Sequence, residues 1–329
     1  MHKQLRLMSV GARVAACGAV LGICASAWAQ GERRDETAKI TQDSVKAQSL
    51  NVVVTVPPLK SLVESLLPKG SNVTMLMRPG RSEHGYEFTA EDVAHLAKAD
   101  VVVLVGLGLE PRVEQALKRS KNAKQVVLNW GELESLKQSE EHDHDHDHDH
   151  DHDHAHGTVD QHLWLDPAMV ERLVTKVSDA IKNARADWSA DALKQIEEGK
   201  DKAIKEVKAV DEEYRTGLAP LKGSPIICHH DAYSRLAARY DLKVVAAIKS
   251  GSGGDPTPKD IREVVKAIQQ SKAKAIFVEP QFDPTFAKNI AKQAGVDVAQ
   301  LDPLGDGDWA AMMRKNLESL KNNLGTKEK

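Results

Sequence analysis

From residue 50 onward, short β-branched runs alternate with stretches whose apolar residues recur every three or four positions. Residues 50–56 (LNVVVTV), 72–77 (NVTMLM), 101–106 (VVVLVG) and 126–129 are predicted strands, with a short helix over 58–67 between the first two. The run 101–106 is apolar throughout, as a strand covered on both faces should be. Thr89 followed by Asp92 reads as the start of another helix, close to a capping box. The second half repeats the alternation. Strands are predicted at 225–228, 243–248, 273–278 and 296–301, with helices at 232–240, 258–270, 284–294 and 309–320. Alternation of this kind implies βαβ units and parallel sheets, hence an α/β fold.

The stretch between the halves differs. Residues 189–218 hold no proline, and Leu193, Ile196, Ile204, Val207 and Val210 share one helical face. About 30 helical residues would run about 45 Å, long enough to be a spine across two lobes. The expected organisation is therefore a first α/β lobe over 50–188, a connecting helix over 189–219 and a second α/β lobe over 220–329. Each lobe should hold a mainly parallel sheet flanked by helices.

Ahead of the lobes, residues 1–29 read as a cleaved signal peptide. Lys3, Arg6 and Arg13 form the positive start, 16 residues from Val14 to Ala29 carry no charge, and Ala27-Trp28-Ala29 is an A-x-A cleavage site. The apolar part is short of the roughly 20 residues that a membrane span needs. Cleavage after Ala29 predicts a periplasmic protein of 300 residues, with residues 30–49 as a flexible polar lead-in. Of three cysteines, Cys17 and Cys24 leave with the signal. Only Cys228 remains, so no internal disulfide can form.

Composition narrows the function. The 329 residues carry a net charge of −3, and losing three basic groups with the signal takes it to −6, so nucleic acid is not an expected partner. Aromatic residues make up 4 %, too few for a stacking platform. Histidine is the outlier, with 14 in the chain. Eight of them (His142, His144, His146, His148, His150, His152, His154 and His156) alternate with six aspartates inside a structureless insertion expected over 131–160. Neutral imidazole ligates zinc, copper and nickel, so the run is read as an auxiliary loop holding several ions loosely.

Three further histidines stand singly where strands are expected to end or a helix to begin. His84 lies in PGRSEHG, His162 opens HLWLDP and His230 lies in CHHDAY. Ligands of open α/β sheets bind beyond the carboxyl ends of the strands. Asp302, in LDPLG, is a fourth candidate, and three imidazoles with one carboxylate make a set that zinc accepts. No H-E-x-x-H helix or G-x-S-x-G elbow is present, so a zinc hydrolase is a remote alternative.

Taken in order, SEHGYEFTAEDVAHLAKADVVVLVG, HLWLDP, HHDAYSRLAARYDLK, FVEPQF and LDPLG resemble the zinc-uptake solute-binding proteins of bacterial ABC transporters, the ZnuA/TroA-like group (cluster A-I). The likeness runs from about residue 50 to the C-terminus, and the histidine-rich insertion ahead of HLWLDP matches the zinc branch. It implies two α/β lobes joined by one long backbone helix, metal in the interlobe cleft, no catalysis, a membrane permease as partner and a monomeric chain. It also implies His84, His162 and His230 as ligands of Zn²⁺, with Asp302 as fourth ligand and Glu83 as the alternative. Manganese-type relatives replace the third histidine by a carboxylate, so His230 favours zinc. The resemblance gives His229 and Glu279 packing or supporting roles, His95 reads as a structural histidine, and a secondary adhesive role stays open.

Overall fold

The computed structural model describes residues 48–120, 122–136, 159–248 and 256–325. The signal peptide, nearly all of the lead-in and the histidine–aspartate run lie outside the described residues.

The first half forms β1 (Asn51–Val54), α1 (Leu59–Glu64), β2 (Asn72–Met75), α2 (Ala90–Lys98), β3 (Val101–Leu104), α3 (Pro111–Arg119), β4 (Val126–Asn129) and α4 (Trp130–Leu133). Its four strands are parallel in the order β2-β1-β3-β4. Successive side chains of β1 and β3 point to opposite faces, so each strand feeds two cores. Val52, Val54, Val101 and Val103 join the main core, while Val53, Val102 and Leu104 pack under α2 and α3 with Leu96 and Val113. That double burial is why β3 is apolar throughout.

The second half forms β5 (Pro225–Cys228), α7 (Ser234–Arg239), β6 (Lys243–Ala247), α8 (Pro258–Ser271), β7 (Ala275–Val278), α9 (Thr285–Ala294), β8 (Asp297–Gln300) and α10 (Trp309–Leu324). Its parallel order is β6-β5-β7-β8, the same arrangement as in the first half. Ile226, Cys228 and Phe277 face the main core, and Ile227, Ile276 and Val278 face α8 and α9.

Between the sheets lie α5 (Pro167–Asn183) and the 29-residue α6 (Ala190–Leu218). Ser189 caps α6 by accepting the Ala192 amide N–H, and Ile196, Val207, Val210, Tyr214 and Leu218 are buried along it. Leu193 departs from the face read from the sequence and is exposed, Ala192 and Ala203 lining the buried side instead. At Gly199 a Cβ would lie 2.1 Å from the Ser65 carbonyl oxygen, so the glycine lets α6 pass directly over the end of α1.

One continuous core runs from β1 through α5 and α6 to β5, β7 and α10. Two indoles stitch the halves together. Trp164 Nε1 donates to the Pro303 carbonyl (2.5 Å), and Trp309 Nε1 donates to the Trp164 carbonyl (2.7 Å). Ser61 adds a third tie, its N–H donating to the Gly307 carbonyl and its hydroxyl accepting the Trp309 N–H, both at 3.0 Å. Both indoles are buried with their N–H groups satisfied across the two halves.

The insertion expected from residue 131 begins later. Trp130 and Gly131 are buried in the single turn α4, with Asn129 accepting the Glu132 N–H as cap. The large Trp130 ring, fully buried, draws this turn into the core.

Candidate metal centre

Glu83 and His84 sit on one 3-10 turn, Glu83–Gly85, which follows β2 and is capped by Ser82 accepting the His84 N–H. His162 does not follow a strand. It precedes the 3-10 turn Leu163–Leu165, whose buried Leu163, Trp164 and Leu165 anchor it ahead of α5. His230 follows β5 directly, as expected from the sequence. First-sheet loops thus supply Glu83 and His84, the segment before α5 supplies His162, and the second sheet supplies His230.

These four side chains converge. One ligand-type atom of each lies within 4.8 Å of the others. The ring centroids of His84, His162 and His230 are 5.1–5.9 Å apart. Glu83 Oε1 stands 3.1 Å from His162 Nε2 and 3.5 Å from His230 Nε2, and the two Nε2 atoms are 3.1 Å from each other. Ligands around one tetrahedral zinc, bonded near 2.0–2.2 Å, stand roughly 3.3–3.6 Å apart. Of the three separations, 3.5 Å falls in this range and the two at 3.1 Å are slightly shorter.

The outer faces of two imidazoles explain why the inner ones converge. His162 Nδ1 is 2.8 Å from Asp160 Oδ1, and His230 Nδ1 is 2.5 Å from Glu279 Oε1. A carboxylate beside Nδ1 keeps the proton there and turns the Nε2 lone pair outward, the way metal-ligating histidines are commonly held. Two lone pairs and a carboxylate oxygen then face one point. Such a cluster repels itself unless a cation, either a proton or a metal ion, sits among them. Glu83, His162 and His230 are buried, and Glu83 Oε2 and Glu279 Oε2 are buried without a hydrogen-bond partner, so the carboxylates and imidazoles face one another with little water between them.

The titrations follow from this packing. Burial alone would raise the Glu83 carboxyl, but hydrogen bonds from His162 and His230 outweigh it and hold the group well below the usual carboxylate range. Burial would lower His230, yet Glu279 and Glu83 push it up to about 10. His162 is raised the same way by Asp160 and Glu83 against its own burial. His84, the exposed member, is lowered by loss of water around its ring, opposed by Glu83. Without metal at neutral pH, His230 therefore keeps its second ring proton, and His162 is biased the same way. Zinc must displace that proton. Affinity should accordingly go on climbing with pH above 6.5, up to about 10 where His230 loses its proton, and binding at pH 7.5 should release at least one proton. Calorimetry in buffers of different ionisation enthalpy checks the count.

Asp302, the fourth ligand preferred from the sequence, is not brought into the group. Its Oδ1 accepts the Leu304 and Gly305 amide N–H groups, both at 3.0 Å, and the Gln281 side-chain N–H at 2.9 Å. That carboxylate folds its own loop, and the carboxylate in the converging group is that of Glu83. His229 is buried and stacks on Phe282 with ring centroids 4.3 Å apart, a packing role. His95 stands half-exposed on α2, 3.7 Å from Glu91, away from the group. Asp160 was missed in the sequence.

Comparison with known proteins agrees with this architecture. The fold superposes on the crystal structure of ZnuA (TM-score 0.71, 22 % identity) and on the periplasmic zinc-binding protein TroA from Treponema pallidum (TM-score 0.71, 19 % identity), covering in each case 84 % of this chain and all of the other. Fold and site together define a two-lobed α/β solute-binding protein. The chain belongs to the family described as zinc-uptake complex component A, periplasmic, which it matches over residues 52–323. Curated relatives include the zinc-binding lipoprotein AdcA of Streptococcus pneumoniae serotype 4 (28 % identical, 83 % of this chain and 55 % of AdcA). The high-affinity zinc uptake system protein ZnuA of Yersinia pestis is 27 % identical over 79 % of this chain and 84 % of that protein. The chain spans about half the length of the AdcA proteins it matches.

Proposed function

We propose that this chain captures free Zn²⁺ in the cleft between its two sheets and delivers it to the permease of an ABC-type zinc uptake system. The carrying observation is the pair of Nε2 atoms 3.1 Å apart, each aimed inward by a carboxylate on its Nδ1, beside a buried Glu83. His84, His162, His230 and Glu83 are the proposed ligands. Three imidazoles to one carboxylate favour zinc over manganese, which suits harder, oxygen-rich sets. The zinc-binding names of the AdcA and ZnuA relatives support the same choice.

Capture and release need no bond-making on the cargo, so the chain is proposed to bind rather than catalyse. Export by a signal peptide cut after Ala29 would place it in the periplasm, which agrees with the family description, and among the described residues no helix is long and apolar enough to cross a membrane. It is proposed to work as a monomer. Lobes over 50–188 and 220–329, joined by the helix over 189–219, form the proposed working parts. The eight histidines from His142 to His156 would gather additional zinc loosely.

The functional test is deletion of the gene. Growth should fail in zinc-depleted medium and recover with excess zinc; unimpaired growth would contradict the transport role in a strain without a second uptake system.

The choice of fourth ligand has its own test. Glu83→Gln should weaken tight zinc binding by about 10–100-fold or more, because it removes the only charge bonded to the ion. Asp302→Asn should leave affinity within about threefold, since asparagine keeps the Oδ1 acceptor that its loop uses. Chelator competition reads both. The opposite ranking would return Asp302 to the site.

A further inference from the structure

One arginine ties the two halves together at the metal centre. Arg235, on α7 of the second half, donates from Nε (3.1 Å) and Nη2 (2.9 Å) to the single carbonyl oxygen of Asp160, which belongs to the segment leading into α5. Nε also lies 3.5 Å from Asp160 Oδ2. Its Nη1 reaches Met169 Sδ at 3.7 Å, so the guanidinium is fixed on both edges. Asp160 is held at its other end as well, Oδ1 accepting the His162 backbone N–H (2.9 Å) and lying 2.8 Å from His162 Nδ1. The chain of contacts runs from Arg235 to Asp160 to His162, and the arginine comes from the half that supplies His230 while the histidine it steadies comes from the other.

Resting on the zinc-capture reading above, we propose that Arg235 is a positioning residue that sets zinc affinity across the cleft by locking Asp160, and through it the ring of His162, against the half that carries His230. Without this lock the Asp160 carboxylate can turn away from Nδ1, the His162 ring loses its fixed tautomer, and its Nε2 no longer meets the ion in the same place. Partners behind a ligating histidine are typically worth 10–100-fold in metal affinity. The fork geometry matters, since two N–H groups converge on one oxygen; a lysine ammonium is a single point of charge and cannot reproduce it.

The experiment is a double-mutant cycle on zinc affinity, read by chelator competition on the full mature chain. Arg235→Ala should weaken zinc about 10-fold and Asp160→Ala about 10–100-fold, while the double variant should be no weaker than Asp160→Ala alone. A merely structural arginine would lower affinity by the same factor in both backgrounds. Arg314→Ala is the control for lost interhelical ion pairs, because Arg314 joins α10 to Glu206 and Glu213 of α6 on an exposed surface; it should leave zinc affinity unchanged. Should Arg235→Ala fail to fold, Arg235→Lys takes its place with the same expected direction. Wild-type affinity in the Arg235 variant, or additive effects in the cycle, overturns the proposal. If Asp160→Ala and His162→Ala also bind zinc like the wild type, the metal site itself is misassigned.

Discussion

Replacing His162 by alanine should reduce tight zinc binding by more than about a thousand-fold. His162 is the most heavily engaged ligand, with Asp160 behind it, and Glu83 Oε1 and His230 Nε2 in front, each at 3.1 Å. Its loss removes one bond to the ion and also leaves the Asp160 and Glu83 carboxylates without the imidazole that both face. Supporting partners alone account for about 10–100-fold, and a ligand must exceed them. The effect should be specific to the tight phase of a calorimetric titration. The weaker binding proposed for the run from His142 to His156 should persist, because His162 lies outside that run. A His162→Ala protein that retained its tight phase would place the primary site elsewhere.

The second large effect should come from Trp164→Ala. The indole is fully buried, donates to the Pro303 carbonyl and stands 5.3 Å from the His162 ring, centroid to centroid. Truncation opens a cavity in the joint and strips a buried carbonyl of its donor, at a cost of about 3–5 kcal/mol. For a chain of this size that lowers Tm by roughly 10 °C. Zinc affinity should fall too, since His162 loses the wall it rests against. Saturating zinc should restore part of the lost stability, because a ligand that binds only the folded state stabilises it. Thermal melts of the apo and zinc-loaded variant measure both effects. A melting temperature within about 2 °C of the wild type would show that the indole pair does not hold the halves together.

Much of this architecture was legible before any coordinates. The apolar run over 101–106 marked a strand covered on both faces, and the proline-free stretch after Ser189 marked the long α6, because both signals arise from burial along one element. The helix α3 went unmarked although it opens with a proline at its first position, and α5 was expected only as a helix following HLWLDP, without bounds. The three single histidines were legible because each sits in a distinctive local motif. The carboxylate that joins them was not, since both Glu83 and Asp302 lie outside the strands and long helices, and only the path of their segments decides which one points inward. In LDPLG the chain turns so tightly that Asp302 is taken up by the Leu304 and Gly305 amides. Asp160 was hidden for another reason: it follows a run already full of aspartates, and composition cannot distinguish the one that holds a ligand. Arg235 was hidden because its importance depends on packing between halves that are 75 residues apart in the chain at this contact.

The central claim is that His84, His162, His230 and Glu83 share one zinc ion. A crystal of the protein loaded with one equivalent of zinc, with anomalous data on both sides of the zinc absorption edge, tests it most directly. A single strong anomalous peak should lie about 2.0–2.2 Å from a ring nitrogen of each histidine and from a Glu83 carboxylate oxygen. A peak bonded to Asp302 in place of Glu83, or located away from these histidines, would contradict the account.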